Sequence, residues 1–259
     1  MSQTKRLWWT LSTVCILVTL VMCSGFVFAA QQVLFPPAGD ASMPTKEQTK
    51  AEQGDSIGIV ALGDSLTVGF GDSLGQGYVG RLRQRWGDVS DVPVYITANV
   101  ARNGAKASEV LEALKTRPGL QDAVRIADVV VMTVGGNDLY TFGEDVDPST
   151  FEQRIPAVRD TISNIFAAIR SLNNRVDVYY IGLYNPFVSL GDQPSIVRAV
   201  QRWNEAVQDV ARTDARIVFV PTYDLFQRNT KSYLSSDNYH LNDDGYARVA
   251  ERLFTLVRP

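Results

Sequence analysis

Apolar and polar positions change their period several times along the chain, and each change marks an element. Ile57 to Leu62 is a short apolar run closed by Gly63-Asp64-Ser65, which predicts a buried strand turning sharply at its carboxyl end. Tyr78, Val79, Leu82 and Trp86 then recur at helical spacing, and Val92 to Val100 reads as a second strand. Ser108, Val110, Leu111 and Leu114 fit a short helix. Ala127 to Val134 is the most strand-like run of all. A long helix is predicted from Ser149, where Ser149 and Glu152 have capping-box spacing, with Phe151, Ile155, Val158, Ile162, Ile165, Ile169 and Leu172 on its buried stripe and Pro156 bending its first turns. Val176 to Leu183 is a fourth strand, and a helix from Ser195 carries Ile196, Val200, Trp203, Val207 and Val210. Ile217 to Val220 is the fifth strand, and a final helix follows Asn242, with Tyr246, Val249, Ala250, Leu253 and Phe254 inward.

Strands alternating with helices imply a mainly parallel five-stranded sheet covered by helices on both faces, a three-layer α/β/α sandwich. Right-handed crossovers bring every strand's carboxyl end to one edge of such a sheet. Ligands gather outside that edge, so a hydroxyl placed there, as on Ser65, is placed for chemistry. The same residues could instead cap the next helix or close a turn. A second Gly-Asp-Ser-Leu, Gly71 to Leu74, has no apolar run before it and lies among Gly69, Gly75 and Gly77. It reads as a flexible loop over the site.

The amino terminus departs from this alternation. Leu7 to Ala30 is uncharged and apolar behind Lys5 and Arg6, and exceeds the roughly 20 residues that cross a bilayer as a helix. Its basic flank should stay in the cytoplasm, leaving the rest of the chain outside. Residues 1–30 are therefore expected to be an uncleaved membrane anchor. Cleavage after Val27-Phe28-Ala29, giving a secreted protein, and lipid attachment at Cys23 are the alternatives. Gln31 to Asp55 holds Pro36, Pro37 and Pro44 and a polar run without periodicity, as an exposed tether does. One domain of typical α/β size then runs from Ser56 to Pro259.

Charge and composition narrow the chemistry. The net charge is -3, and beyond residue 30 there are 23 basic against 28 acidic side chains with no basic block, which argues against nucleic-acid binding. Both cysteines, Cys15 and Cys23, lie in the apolar amino-terminal run, so the domain has neither a disulfide framework nor a thiolate metal site. With one histidine in the chain, His240, a histidine-cluster metal site is impossible, and no cofactor is expected. Asp237, Asp243 and Asp244 make a poor calcium loop, because Asn242 and Arg248 would fall at its glycine and glutamate positions.

Four short motifs fall where the sheet would gather them: Gly63-Asp64-Ser65-Leu66, Asn103-Gly104, Gly135-Gly136-Asn137-Asp138 and Asp237-Asn238-Tyr239-His240. In these blocks and their order the chain resembles the GDSL, or SGNH, hydrolase superfamily over Ser56 to Pro259. The resemblance implies a flavodoxin-like fold and a serine ester hydrolase in which Ser65 attacks, His240 is the base and Asp237 orients it. It also implies an oxyanion hole made by the backbone N–H groups of Ser65 and Gly104 and the side-chain amide of Asn137. Ester hydrolysis needs such a nucleophile, base and set of donors. A carboxylate three residues before an imidazole can reach its far nitrogen through a turn. Glycine at 104 is read as allowing close backbone approach. Asp64 and Asp138 are read as turn and cap residues, and Trp203 and Tyr180 as core. Expected partners are a lipid or other small ester, with acylated envelope glycan as the alternative substrate. The rival from another class is a non-catalytic protein binding envelope glycan or lipid.

Overall fold

The computed structural model describes residues 55–187 and 193–257, together with Thr19 and Met22. The expected anchor, apart from those two residues, and the tether up to residue 54 lie outside the described residues. Among the described residues no helix is long and apolar enough to cross a membrane.

In chain order the elements are β1 (Ile57–Gly63), α1 (Ser65–Val68), α2 (Gly77–Gly87), β2 (Val94–Asn99), α3 (Ala107–Thr116), α4 (Pro118–Ile126) and β3 (Val129–Thr133). They continue with α5 (Gly136–Leu139), α6 (Pro148–Leu172), β4 (Asp177–Ile181), α7 (Pro194–Ala211), β5 (Ile217–Val220), α8 (Tyr223–Phe226), a 3-10 turn at Thr230–Tyr233 and α9 (Asp243–Leu256). The five strands form one sheet in the order β2-β1-β3-β4-β5, with every pairing parallel.

Period-two alternation sorts the strand residues between two cores. Val60, Leu62, Val130, Met132, Val178 and Tyr180 pack with α3, α4, α6 and α7, in a cluster that includes Ile162, Ile169 and Trp203. Ile59, Ala61, Val129, Val131, Tyr179 and Ile181 face the other way, where Tyr78 and Leu82 of α2 meet Val249 and Leu253 of α9. Covering both faces explains why the inner strands β1, β3 and β4 are near-continuous apolar runs, whereas β2, at the edge of the sheet, alternates. The strand order reverses direction at β1 and β3, so the crevice between their carboxyl ends is the switch point where such sheets bind ligands.

Two local readings change. The long helix starts at Pro148, not Ser149, and its cap is Asp147, whose carboxylate accepts the N–H groups of Ser149 (3.0 Å) and Thr150 (3.2 Å). Proline at the first helical position lacks an N–H that would be orphaned anyway, so the start moves ahead of the capping-box serine. Between Leu114 and Ala127 the structure adds α4, begun by Pro118 after an extended Arg117 and burying Leu120, Ala123 and Val124.

Candidate active site

The carboxyl end of β1 meets that of β3 without room for a side chain. A Cβ on Gly63 would fall 1.9 Å from the carbonyl oxygen of Thr133, and Gly63 has φ of +137°, which favours glycine. The next N–H, that of Asp64, donates to the same carbonyl at 3.1 Å. Asp64 caps α1 as expected: its Oδ1 accepts Leu66 N–H (3.1 Å) and the hydroxyl of Thr133 (2.7 Å). Burial pushes the Asp64 carboxyl above its usual range, with those hydrogen bonds pulling part of the way back. Thr67, one turn on, ties α1 down by hydrogen bonds to Leu62 O (3.1 Å), Tyr78 (2.8 Å) and Thr133 (2.7 Å). Ser65 is therefore the first residue of a short helix whose cap and floor are both fixed.

Its hydroxyl lies 2.8 Å from Nε2 of His240, and Nδ1 of the same ring lies 2.6 Å from Oδ2 of Asp237. A carboxylate only accepts, so Nδ1 carries the proton and Nε2 is left to accept from Ser65. The second Asp237 oxygen accepts Ser235 Oγ (2.7 Å) and the N–H groups of Tyr239 and His240 (2.9 Å each). Burial opposes ionisation of Asp237, but the hydrogen bonds from His240, Ser235 and the backbone outweigh it and hold the carboxyl at about 2. The intervening turn places Asn238 at φ of +57°, a left-handed conformation that asparagine tolerates. The hydroxyl of Tyr184 donates to Tyr239 O at 2.6 Å, fixing the turn to the loop after β4.

A second cluster flanks this chain. After β2 the backbone returns along β1, with Arg102 N–H donating to Gly63 O at 3.0 Å, and Gly104 follows at φ of +73°. A Cβ at Gly104 would meet nothing within 4 Å. The left-handed backbone, not crowding, is thus what calls for glycine there. Asn137, on α5, donates its amide to Ala105 O at 3.1 Å, and Asp138 accepts the N–H of Ala107 at 2.9 Å, tying the post-β3 turn to the Gly104 loop and to the start of α3. Burial raises the Asp138 carboxyl. Trp203 and Tyr180 are buried in the core, as expected.

The sequence patterns did not single out Thr67, Thr133, Ser235 or Tyr184, nor two aromatic side chains beside the imidazole. Phe70 has its ring centroid 4.6 Å from that of His240 and Phe142 is at 5.8 Å, although they are 45% and 52% exposed. An exposed large apolar residue leaves no periodic trace in a loop.

Comparisons with known proteins bear on the family and the fold. The GDSL-like Lipase/Acylhydrolase family matches residues 61–248. The Bacillus subtilis (strain 168) uncharacterized protein YpmR is 31% identical over 220 residues, covering 82% of this chain and 84% of that protein. The spore germination lipase LipC of Bacillus licheniformis is 29% identical over 207 residues, or 76% and 95% of the two chains. Among solved structures, the lipase Lip_vut3 from a goat rumen metagenome superposes with a TM-score of 0.69 at 28% identity, covering 77% of this chain and 96% of that one. With the family match spanning all four motif blocks and the fold shared with a solved lipase, this chain belongs to the GDSL-like lipase/acylhydrolase family of ester hydrolases.

Proposed function

We propose that the protein is a serine carboxylic-ester hydrolase that works through an acyl-enzyme at Ser65. The observation that carries this reading is the unbroken chain from Ser65 Oγ through His240 to Asp237, at 2.8 and 2.6 Å. Ser65 Oγ attacks the ester carbonyl carbon while its proton passes to His240 Nε2, and the carbonyl electron pair moves onto oxygen. The N–H groups of Ser65 and Gly104 and the amide of Asn137 stabilise that oxyanion. Its collapse breaks the bond to the alkoxy oxygen, which takes the proton from His240 and leaves as an alcohol. Water then attacks the acyl-serine, giving its proton to His240, and the carboxylic acid departs as Ser65 recovers its hydrogen. Asp237, ionised throughout the neutral range, holds the imidazole tautomer and balances its transient charge.

A lipid-like ester is the proposed substrate class. Two relatives near 30% identity carry the name lipase, and Phe70 and Phe142 give the approach to the imidazole an apolar character. The apolar run behind Lys5 and Arg6 supports a placement at the outer face of a membrane, with the amino-terminal segment as anchor.

Labelling of the full chain with a fluorophosphonate probe tests the mechanism. The wild type is expected to label and Ser65→Ala to remain unlabelled; a folded wild type that does not react overturns the reading in favour of a binding protein, and a labelled Ser65→Ala overturns Ser65 as the nucleophile. Hydrolysis of lysophospholipids, triglycerides and acetylated sugars then separates a lipase from a glycan deacetylase.

A further inference from the structure

The second Gly-Asp-Ser-Leu has no part in the chemistry above, yet its loop is bonded to the segments on both sides of the site. It hangs from the nucleophile's own residue: the N–H groups of Gly69 and Phe70 both donate to Ser65 O, at 3.0 and 2.9 Å. Its other contacts run to the segment that carries the imidazole. The carbonyl of Phe70 accepts the hydroxyl of Tyr246 at 2.8 Å, across 176 positions of sequence. Gly71, at φ of +92°, lies so flat against the residue after the imidazole that a Cβ would come within 2.5 Å of Leu241 O and 2.9 Å of Ser235 Cβ. Ser73 gives both its N–H (2.7 Å) and its hydroxyl to the carboxylate of Asp243, three residues past His240. The Phe70 ring rests on the imidazole itself.

The loop is braced from behind by Asp72. Its carboxylate, fully covered, accepts a two-pronged bond from Arg81 (2.7 and 2.9 Å) and the N–H groups of Gln76 (2.7 Å) and Gly77 (2.8 Å). Burial disfavours the charge there, but the guanidinium and the two N–H groups prevail and lower the carboxyl below its usual range. Of the glycines that suggest a flexible loop, Gly69, Gly71 and Gly77 instead permit close approach, and the charge cluster ties the loop to α2.

We propose that the Gly71–Leu74 copy is a clasp that sets the separation of Ser65 and His240, with Gly71 and Ser73 as positioning residues. Ser65 and His240 sit at opposite ends of the domain's sequence, and their single 2.8 Å bond has to be held by something other than itself. The clasp spans that gap directly, from the carbonyl of Ser65 to the carboxylate of Asp243. A catalytic pair displaced by about 1 Å loses on the order of a hundredfold in rate, so a contact that fixes the pair is felt in turnover rather than in binding.

The inference rests on Ser65 and His240 acting as proposed, and the tests separate the two. In the full-length protein, Ser73→Ala, an exposed change that leaves the Asp72 brace intact, is expected to lower kcat about tenfold with KM little altered. The rate of fluorophosphonate labelling should fall in parallel. Ser73→Thr, which keeps the hydroxyl and N–H, should restore both. Gly71→Ala, which drives the loop off Leu241, is expected to lower kcat further. Wild-type kcat and labelling rate in folded Ser73→Ala and Gly71→Ala, or a loss confined to KM or to melting temperature, would overturn the clasp while Ser65 still labels. Absence of labelling in the wild type would overturn both readings.

Discussion

The same four letters occur twice in this chain, eight residues apart, and fold into two different devices. At Gly63-Asp64-Ser65-Leu66 the motif closes a buried strand: the aspartate caps a helix and the serine meets the only imidazole in the chain. At Gly71-Asp72-Ser73-Leu74 no strand precedes it. There the aspartate braces a loop against Arg81 and the serine meets the carboxylate of Asp243. Both serines bond to residues of the same carboxyl-terminal segment, only three positions apart. What separates the proposed nucleophile from the proposed clasp is the partner and its backing. His240 can take a proton and is held in one tautomer by Asp237, whereas Asp243 is a half-buried acceptor at the start of a helix.

Removing each serine in turn should break the comparison most sharply. Ser65→Ala, or His240→Ala, is expected to lower kcat/KM by ~10⁴ to 10⁶, because members of a triad act as a unit. Ser73→Ala should cost only about tenfold, a contrast that steady-state hydrolysis of a p-nitrophenyl ester reads directly. Between these two extremes, Asp237→Asn should lower kcat by about 10⁴ with the fold intact by circular dichroism, since the amide can donate to the imidazole and select the wrong tautomer. Asn137→Ala, which removes one proposed oxyanion donor, is expected to cost about 10²–10³ in kcat.

The smallest effects concern pH, and here the two aspartates have opposite signs. Burial raises Asp64, so its charge is disfavoured in the folded state and stability falls as pH rises from the ordinary carboxyl range through its folded value. Asp72 and Asp237 are lowered, so each contributes stability present above the ordinary carboxyl range and lost in acid, for Asp237 as pH falls toward about 2. Urea unfolding measured across pH checks this. Asp72→Asn should lose stability at neutral pH and show a shallower acid limb. Asp64→Asn, whose amide oxygen can still accept from Leu66 and Thr133, should be spared the decline that the wild type shows on leaving acid.

Much of the scaffold is legible without coordinates because it is written in local periods. Val129 to Met132 is apolar at every position and the strand is buried to its end at Thr133, as a parallel strand covered on both faces has to be. Asn242 caps α9 through its side chain, accepting Gly245 N–H at 3.0 Å, as its place before an apolar stripe suggests. Two readings changed where a proline reset the local rule, at Pro118 and Pro148, and the short elements at Gly136–Leu139, Tyr223–Phe226 and Thr230–Tyr233 are too brief to show a period. The loop at 69–77 escaped for another reason. Its glycines predict freedom, yet Asp72, Arg81 and Asp243 remove that freedom through bonds to partners up to 170 positions away.

The division follows from what each level of structure can encode. Apolar period, a glycine-closed strand end and an aspartate three residues before a histidine are short-range patterns, and from them the chain alone determined a parallel α/β sheet and a candidate nucleophile and base. Only the tertiary structure decided that Ser65 meets His240 across 175 positions, that Gly104 is required by its left-handed backbone rather than by crowding, and that the second motif joins the two ends of the site. Those outcomes depend on side chains meeting after the sheet has closed. A contact between distant residues has a geometry but no period, so no local pattern can carry it.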